Sequence, residues 1–60
     1  MSQLNALYRD ADGQEWIQFG ESVEHLAQQL PEDFSGNLTV RDEAGFVRGW
    51  IHSRLDWRAS

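Results

Sequence analysis

Along this chain the spacing of hydrophobic residues changes period twice. The stretch 4–9 (Leu-Asn-Ala-Leu-Tyr-Arg) predicts a strand, and 14–19 (Gln-Glu-Trp-Ile-Gln-Phe) predicts a second that returns beside it. Between them Asp10-Ala11-Asp12-Gly13 is turn chemistry, because an Asp at the first position caps its own backbone and a Gly at the last accepts positive φ. After Gly20 the period becomes helical. Val23, Leu26, Ala27 and Leu30 stand at i, i+3, i+4 and i+7, the stripe of an amphipathic helix over 22–30. Ser22 is its expected N-cap, Glu21 and Glu24 suit the positive end of its dipole, and Pro31 ends it.

Alternation then resumes. Phe34, in the connector 32–36, is expected to plug the edge of the core. Residues 37–41 alternate with Leu38 and Val40 inward, Asp42-Glu43-Ala44-Gly45 turns the chain, and 46–52 forms a fourth strand. The same alternation runs on to Trp57, so 53–58 reads as a continuation or a short fifth piece within a tail, 53–60. The two turns echo each other: Arg9-Asp10-Ala11-Asp12-Gly13 against Arg41-Asp42-Glu43-Ala44-Gly45. The order ββαββ predicts one α+β domain over 1–60, a four-stranded antiparallel sheet with a single helix on one face. Strand orders 1-2-4-3 and 2-1-3-4 both satisfy a right-handed crossover. The helix is expected to cover Ile17, Phe19, Val47 and Ile51, which sends Trp16, Phe46, Arg48 and Trp50 to the opposite face. Exposed aromatics beside arginine have the composition of a binding or homodimer interface, unless the tail folds back through Leu55 and Trp57 to shield them.

Size narrows the choices. A chain of 60 residues is a minimal domain, and its zero cysteines remove disulfides, thiolate zinc sites and cysteine nucleophiles together. Seven aromatics (Tyr8, Trp16, Phe19, Phe34, Phe46, Trp50, Trp57) are left to supply much of the core, with dimerisation as another route to burying apolar surface. A deep catalytic pocket is hard to fit beside such a core.

Charge narrows them further. The formal net charge is −5 and the pI about 4.6, which argues against direct nucleic-acid binding. Nothing in the sequence reads as a membrane span or a signal segment. Residues 1–47 hold nine carboxylates (Asp10, Asp12, Glu15, Glu21, Glu24, Glu32, Asp33, Asp42, Glu43) and two arginines, a formal −7, while 48–60 come to +2. All five cations are arginine, which suits bidentate carboxylate contacts and aromatic stacking. The acids gather at the two hairpin tips and the two helix ends. Turn and cap preference places them there for structural reasons; alternatively, they present a field resembling a phosphate backbone to a basic partner surface.

Candidate chemistry is sparse. Glu21 and His25 stand at i, i+4, two ligands without a third, and His25 reads as a solvent-facing helix residue. His52, Ser53 and Asp56 have the residue types of a hydrolytic triad, but neighbours on a strand point to opposite faces. Asp10-Ala11-Asp12-Gly13 opens like a calcium loop and lacks the later ligands. No enzyme activity, metal or cofactor is expected.

In size, acidity, absence of cysteine and compact α/β pattern, the whole chain resembles the small phage-encoded anti-CRISPR and nucleic-acid-mimic inhibitors. The resemblance implies a cytoplasmic protein in a bacterial host and a partner with a basic nucleic-acid-binding groove, such as a CRISPR effector. The nine carboxylates would be its contact.

Overall fold

The structure, a computed structural model, describes residues 3–60. Five strands and one helix follow in the order β1 (Leu4–Arg9), β2 (Glu15–Gly20), α1 (Val23–Gln28), β3 (Leu38–Arg41), β4 (Val47–Ser53) and β5 (Asp56–Ala59). All four strand pairings are antiparallel and the spatial order is β2-β1-β3-β4-β5. This is the second expected order, lengthened by one strand. The expected count of four is corrected to five, because the chain reverses at Arg54–Leu55 and β5 returns along β4.

The β1–β2 and β3–β4 turns are built alike. In each, an Asp carboxylate accepts from two backbone N–H groups: Asp10 from Asp12 and Gln14 at 3.0 and 2.9 Å, Asp42 from Ala44 and Phe46 at the same two distances. Each ends on a glycine at positive φ, 83° at Gly13 and 91° at Gly45, as in a three-residue loop closed by a left-handed residue. The echo in the sequence is therefore an echo in backbone geometry.

Turn geometry fixes register, and register fixes faces. The loop after Asp10 pairs Arg9 with Glu15, Ala6 with Gln18 and Leu4 with Gly20. Ala6 is buried under the helix, so Trp16, Gln18 and Gly20 share its side, and Ile17 and Phe19 point away. This corrects the expected faces: of Ile17, Phe19, Val47 and Ile51, only Ile51 is buried beneath α1, and Trp16 stands on the helix side.

The core is small and made of small parts. Val23, Leu26, Ala27 and Leu30, the predicted stripe, bury against Ala6, Leu38, Val40 and Ile51. Beneath the helix the sheet offers little bulk: Leu26 rests over Gly20, and Val23 lies where a Cβ on Gly49 would meet its Cγ2 at 2.6 Å. Leu4, Tyr8, Phe34 and Trp57 close the rim, with Tyr8 and Phe34 edge to face at 5.3 Å between ring centres. Ser22 caps the helix as expected, its Oγ accepting from the His25 N–H at 3.1 Å. Trp57 thus joins the helix side, and the tail does not fold over the opposite face.

Candidate interaction surfaces

Opposite the helix the sheet has no cover within the described chain. Pairing places Phe19 and Ile17 of β2, Asn5 and Leu7 of β1, Thr39 of β3 and Trp50 of β4 on this face. Leu7, Ile17, Phe19 and Trp50 are exposed by 54, 61, 53 and 44%. Leu7 and Ile17 are direct cross-strand partners, and Asn5 with Phe19 is the next pair along. An antiparallel sheet with one wet face normally makes that face polar; this one carries an apolar stripe across its strands.

Arginines frame the stripe. Arg9 and Arg41 point to this face by alternation along β1 and β3. Arg48 joins them at a bulge where Val47 and Arg48 both oppose Arg41, and Arg58 lies across from Trp50. Four of the five arginines therefore flank the stripe, against two carboxylates on strands of this face: Glu15, which pairs with Arg9 at 3.6 Å, and Asp56, two residues before Arg58 on β5. Arg41 donates to the Gly45 carbonyl at 3.1 Å, and Arg48 Nε lies 3.6 Å from Asp42 Oδ2. The Arg41 contact is exposed and a partner's carboxylate can replace it at little cost, whereas the Asp42 side chain beside Arg48 is only 15% exposed and is held in its turn.

Apart from Glu15, the nine candidate carboxylates are spread over the rest of the molecule. Because β3 runs antiparallel to β1 with Asn5 opposite Arg41, the tip holding Asp10 and Asp12 and the tip holding Asp42 and Glu43 lie at opposite ends of the sheet. Asp10 and Asp42 are committed to their turns, Glu15 and Glu32 pair with Arg9 and Arg54, and Glu43 accepts from the Gln3 N–H at 3.1 Å. No ion pair reaches Asp12, Glu21, Glu24 or Asp33 among the described residues. The Trp16 indole N–H, donating to Asp10 at 2.9 Å, holds the Asp10 carboxyl below its usual range, helped by the Gln14 and Asp12 amides. A groove of about 750 Å³ runs between the helix and the β4–β5 turn, lined by Glu24, Gln28, Glu32, Arg54, Leu55 and Trp57. Leu55, at the turn, is 96% exposed.

Of the four residues expected to form an aromatic and arginine interface, Arg48 and Trp50 lie together on the open face. Phe46 is exposed on the β3–β4 tip, and Trp16 is on the other side. Sequence reasoning missed Leu7, Ile17, Phe19, Arg9, Arg41 and Arg58 as one surface. The signal was in the turn: an Asp-x-x-Gly loop pairing residues 10 and 14 puts Leu7 opposite Ile17.

The candidate chemical groups stay apart. His25 Nδ1 accepts from the Glu21 N–H at 3.4 Å, a local helix-end contact, and Ser53 pairs with Asp56 at the β4–β5 turn with His52 at the adjacent bulge. Among the described residues no three His, Asp or Glu side chains are grouped to hold a metal, and no helix is long and apolar enough to cross a membrane. Comparison with family models, with curated proteins and with solved structures returned no match to this chain.

Proposed function

We propose that this protein is a binding module that engages another protein through the uncovered face of its sheet. The observation that supports this most is the half-exposed row Leu7, Ile17, Phe19 and Trp50, flanked by four arginines. Folding alone gives no reason for it. Those side chains gain little from a core that lies on the opposite face, and an exposed apolar stripe promotes aggregation unless something covers it. Aromatic and arginine side chains are also the types that dominate interface energetics.

A second reading keeps the acidic surface as the contact, in the manner of an inhibitor that occupies a basic nucleic-acid-binding groove. What favours it is the segregation of charge. Every carboxylate but Glu15 and Asp56 lies on the helix layer, the tips and the turns, and Arg54 is the one arginine that does not flank the open face.

Site-specific photo-crosslinking in the source cells separates the two. A photoreactive residue at Ile17 samples the open face, and one at Glu24 samples the acidic layer. We expect a discrete protein adduct from position 17 that disappears when Trp50→Ala is added. Adducts from position 24 alone overturn the first reading in favour of the second.

A further inference from the structure

We infer that the uncovered face takes an acidic amphipathic helix of a partner protein, its apolar stripe seated on Leu7, Ile17, Phe19 and Trp50 and its flanking carboxylates on the surrounding arginines. The inference rests on the open face being the binding surface, and it adds the chemistry of what binds there.

Shape selects a helix. The apolar residues run across the strands, from β2 through β1 to β4, and skip β3, where Thr39 offers a flat, small step. Three strand spacings separate Phe19 from Trp50, about 14 Å. A rod crossing the strands over that span presents roughly nine helical residues, or two to three turns, at 1.5 Å per residue. An added strand would instead pair with the free edge of β2 or β5 and leave the face bare. A helix laid here completes a third layer opposite α1, the arrangement that buries both faces of a sheet.

Charge selects the sign. Arg9 lies at one end of the face, toward the β1–β2 tip, while Arg41 and Arg48 lie toward the β3–β4 tip and Arg58 stands beside Trp50. The stripe is therefore bounded by guanidiniums on more than one side; by the same alternation Glu15 and Asp56 are the carboxylates on this face, so arginines outnumber them four to two. Guanidinium groups favour planar, bidentate carboxylate partners and also stack on aromatic rings, and Arg58 is the cross-strand partner of Trp50.

Phosphate is the competing anion, and the aliphatic residues decide against it. Single-stranded nucleic acid needs aromatic rings for successive bases. Here the only two aromatics on strands of this face are three strands apart, and Leu7 and Ile17 occupy the space nearest Phe19. The overall charge of −5 further opposes a long polyanion.

The test is a titration followed by backbone NMR and Trp fluorescence. The probes are a peptide of about 15 residues with leucines at helical i, i+3, i+4, i+7 spacing and Glu at the flanking positions, the same peptide with Lys for Glu, and an oligothymidylate of about ten nucleotides. The Glu peptide is expected to bind saturably and shift the amides around Leu7, Ile17, Phe19 and Trp50. The Lys peptide should bind about tenfold more weakly, the combined effect of a few exposed ion pairs. The double change Arg41→Glu with Arg58→Glu, its spectrum still dispersed as for a folded chain, should reverse that preference.

Equal or tighter binding of the Lys peptide at the same amides overturns the inference while leaving the face a protein-binding surface. Preferential binding of the oligonucleotide to the face overturns both. Concentration-dependent shifts at those amides without any probe point to a second copy of this chain as the occupant, and overturn the acidic-helix inference alone. Silence from all three probes also ends the inference, and crosslinking at Ile17 then judges the binding face separately.

Discussion

The indole N–H of Trp16 donates to the carboxylate of Asp10 across the mouth of the β1–β2 turn, at 2.9 Å. Asp10 thereby serves three donors at once, the Asp12 and Gln14 amides and the indole, and an aromatic ring on the rim of the helix side is tied to the tip of the hairpin. A residue that looked like part of an acidic docking surface is the hinge pin of a turn. Its charge is used internally.

This arrangement predicts a pH signature. The Asp10 carboxyl is held below its ordinary value of 3.8, chiefly by the Trp16 hydrogen bond. A carboxyl depressed on folding contributes stability that is present above 3.8 and is lost as pH falls through the lower, folded value. Thermal unfolding followed between about pH 5 and pH 2 should show wild type losing stability more steeply than Asp10→Asn below pH about 4. Parallel curves for the two proteins would contradict the assignment.

The twin turns predict twin costs. Gly13 and Gly45 sit at φ 83° and 91°, with nothing within 4 Å of where a Cβ would stand, so Ala at either meets only backbone strain. Each substitution should cost about 1–2 kcal/mol in urea unfolding, and the two should agree closely. A marked cost at one turn and none at the other would show that the two loops are not equivalent.

Gly49 predicts a different failure. A Cβ there would meet the Arg58 carbonyl oxygen and the Val23 side chain, so strain falls on the β4–β5 pairing and on the seat of the helix together. Gly49→Ala is expected to cost about 1–3 kcal/mol or more, as overpacking does where backbone must shift. Protection from hydrogen exchange should fall first in β5 and α1. Unchanged exchange in both would mean the sheet yields elsewhere.

The elements differ in how legible they are, and for physical reasons. The helix is plain in the sequence because Ser22, the apolar spacing and Pro31 all act locally, and both Asp-x-x-Gly turns are plain for the same reason. The fifth strand is hidden because Ile51 and Trp57 are cross-strand partners of the same parity, so alternation passes through the turn unbroken. Arg54-Leu55 also lacks the Gly, Asn, Asp or Pro that usually marks a turn. The inward face of β2 is hidden because its residues there are Trp16, Gln18 and Gly20, less apolar as a set than the outward Ile17 and Phe19. Close packing of α1 on Ala6, Gly20 and Gly49 leaves no room for bulk, so hydrophobicity alone assigns the faces backwards.

That inversion yields the sharpest contrast between folding and binding. Ile17 is more hydrophobic than its inward neighbours, yet it is 61% exposed, while Leu26 is fully buried at the centre of the core. Ile17→Ser removes apolar surface that the folded chain leaves mostly exposed, along with one cross-strand contact to Leu7, so its effect on stability should stay within about 1 kcal/mol. Leu26→Ala should cost about 2–5 kcal/mol. At roughly 0.05–0.15 kcal/mol per residue, a chain of this length has only a few kcal/mol to lose, so that loss is enough to unfold much of the population. Partner capture should respond the other way at Ile17: lost, with the fold intact by circular dichroism. If Ile17→Ser instead lowers stability by as much as a core truncation does, the open face is covered within the chain itself, and the surface is part of the fold.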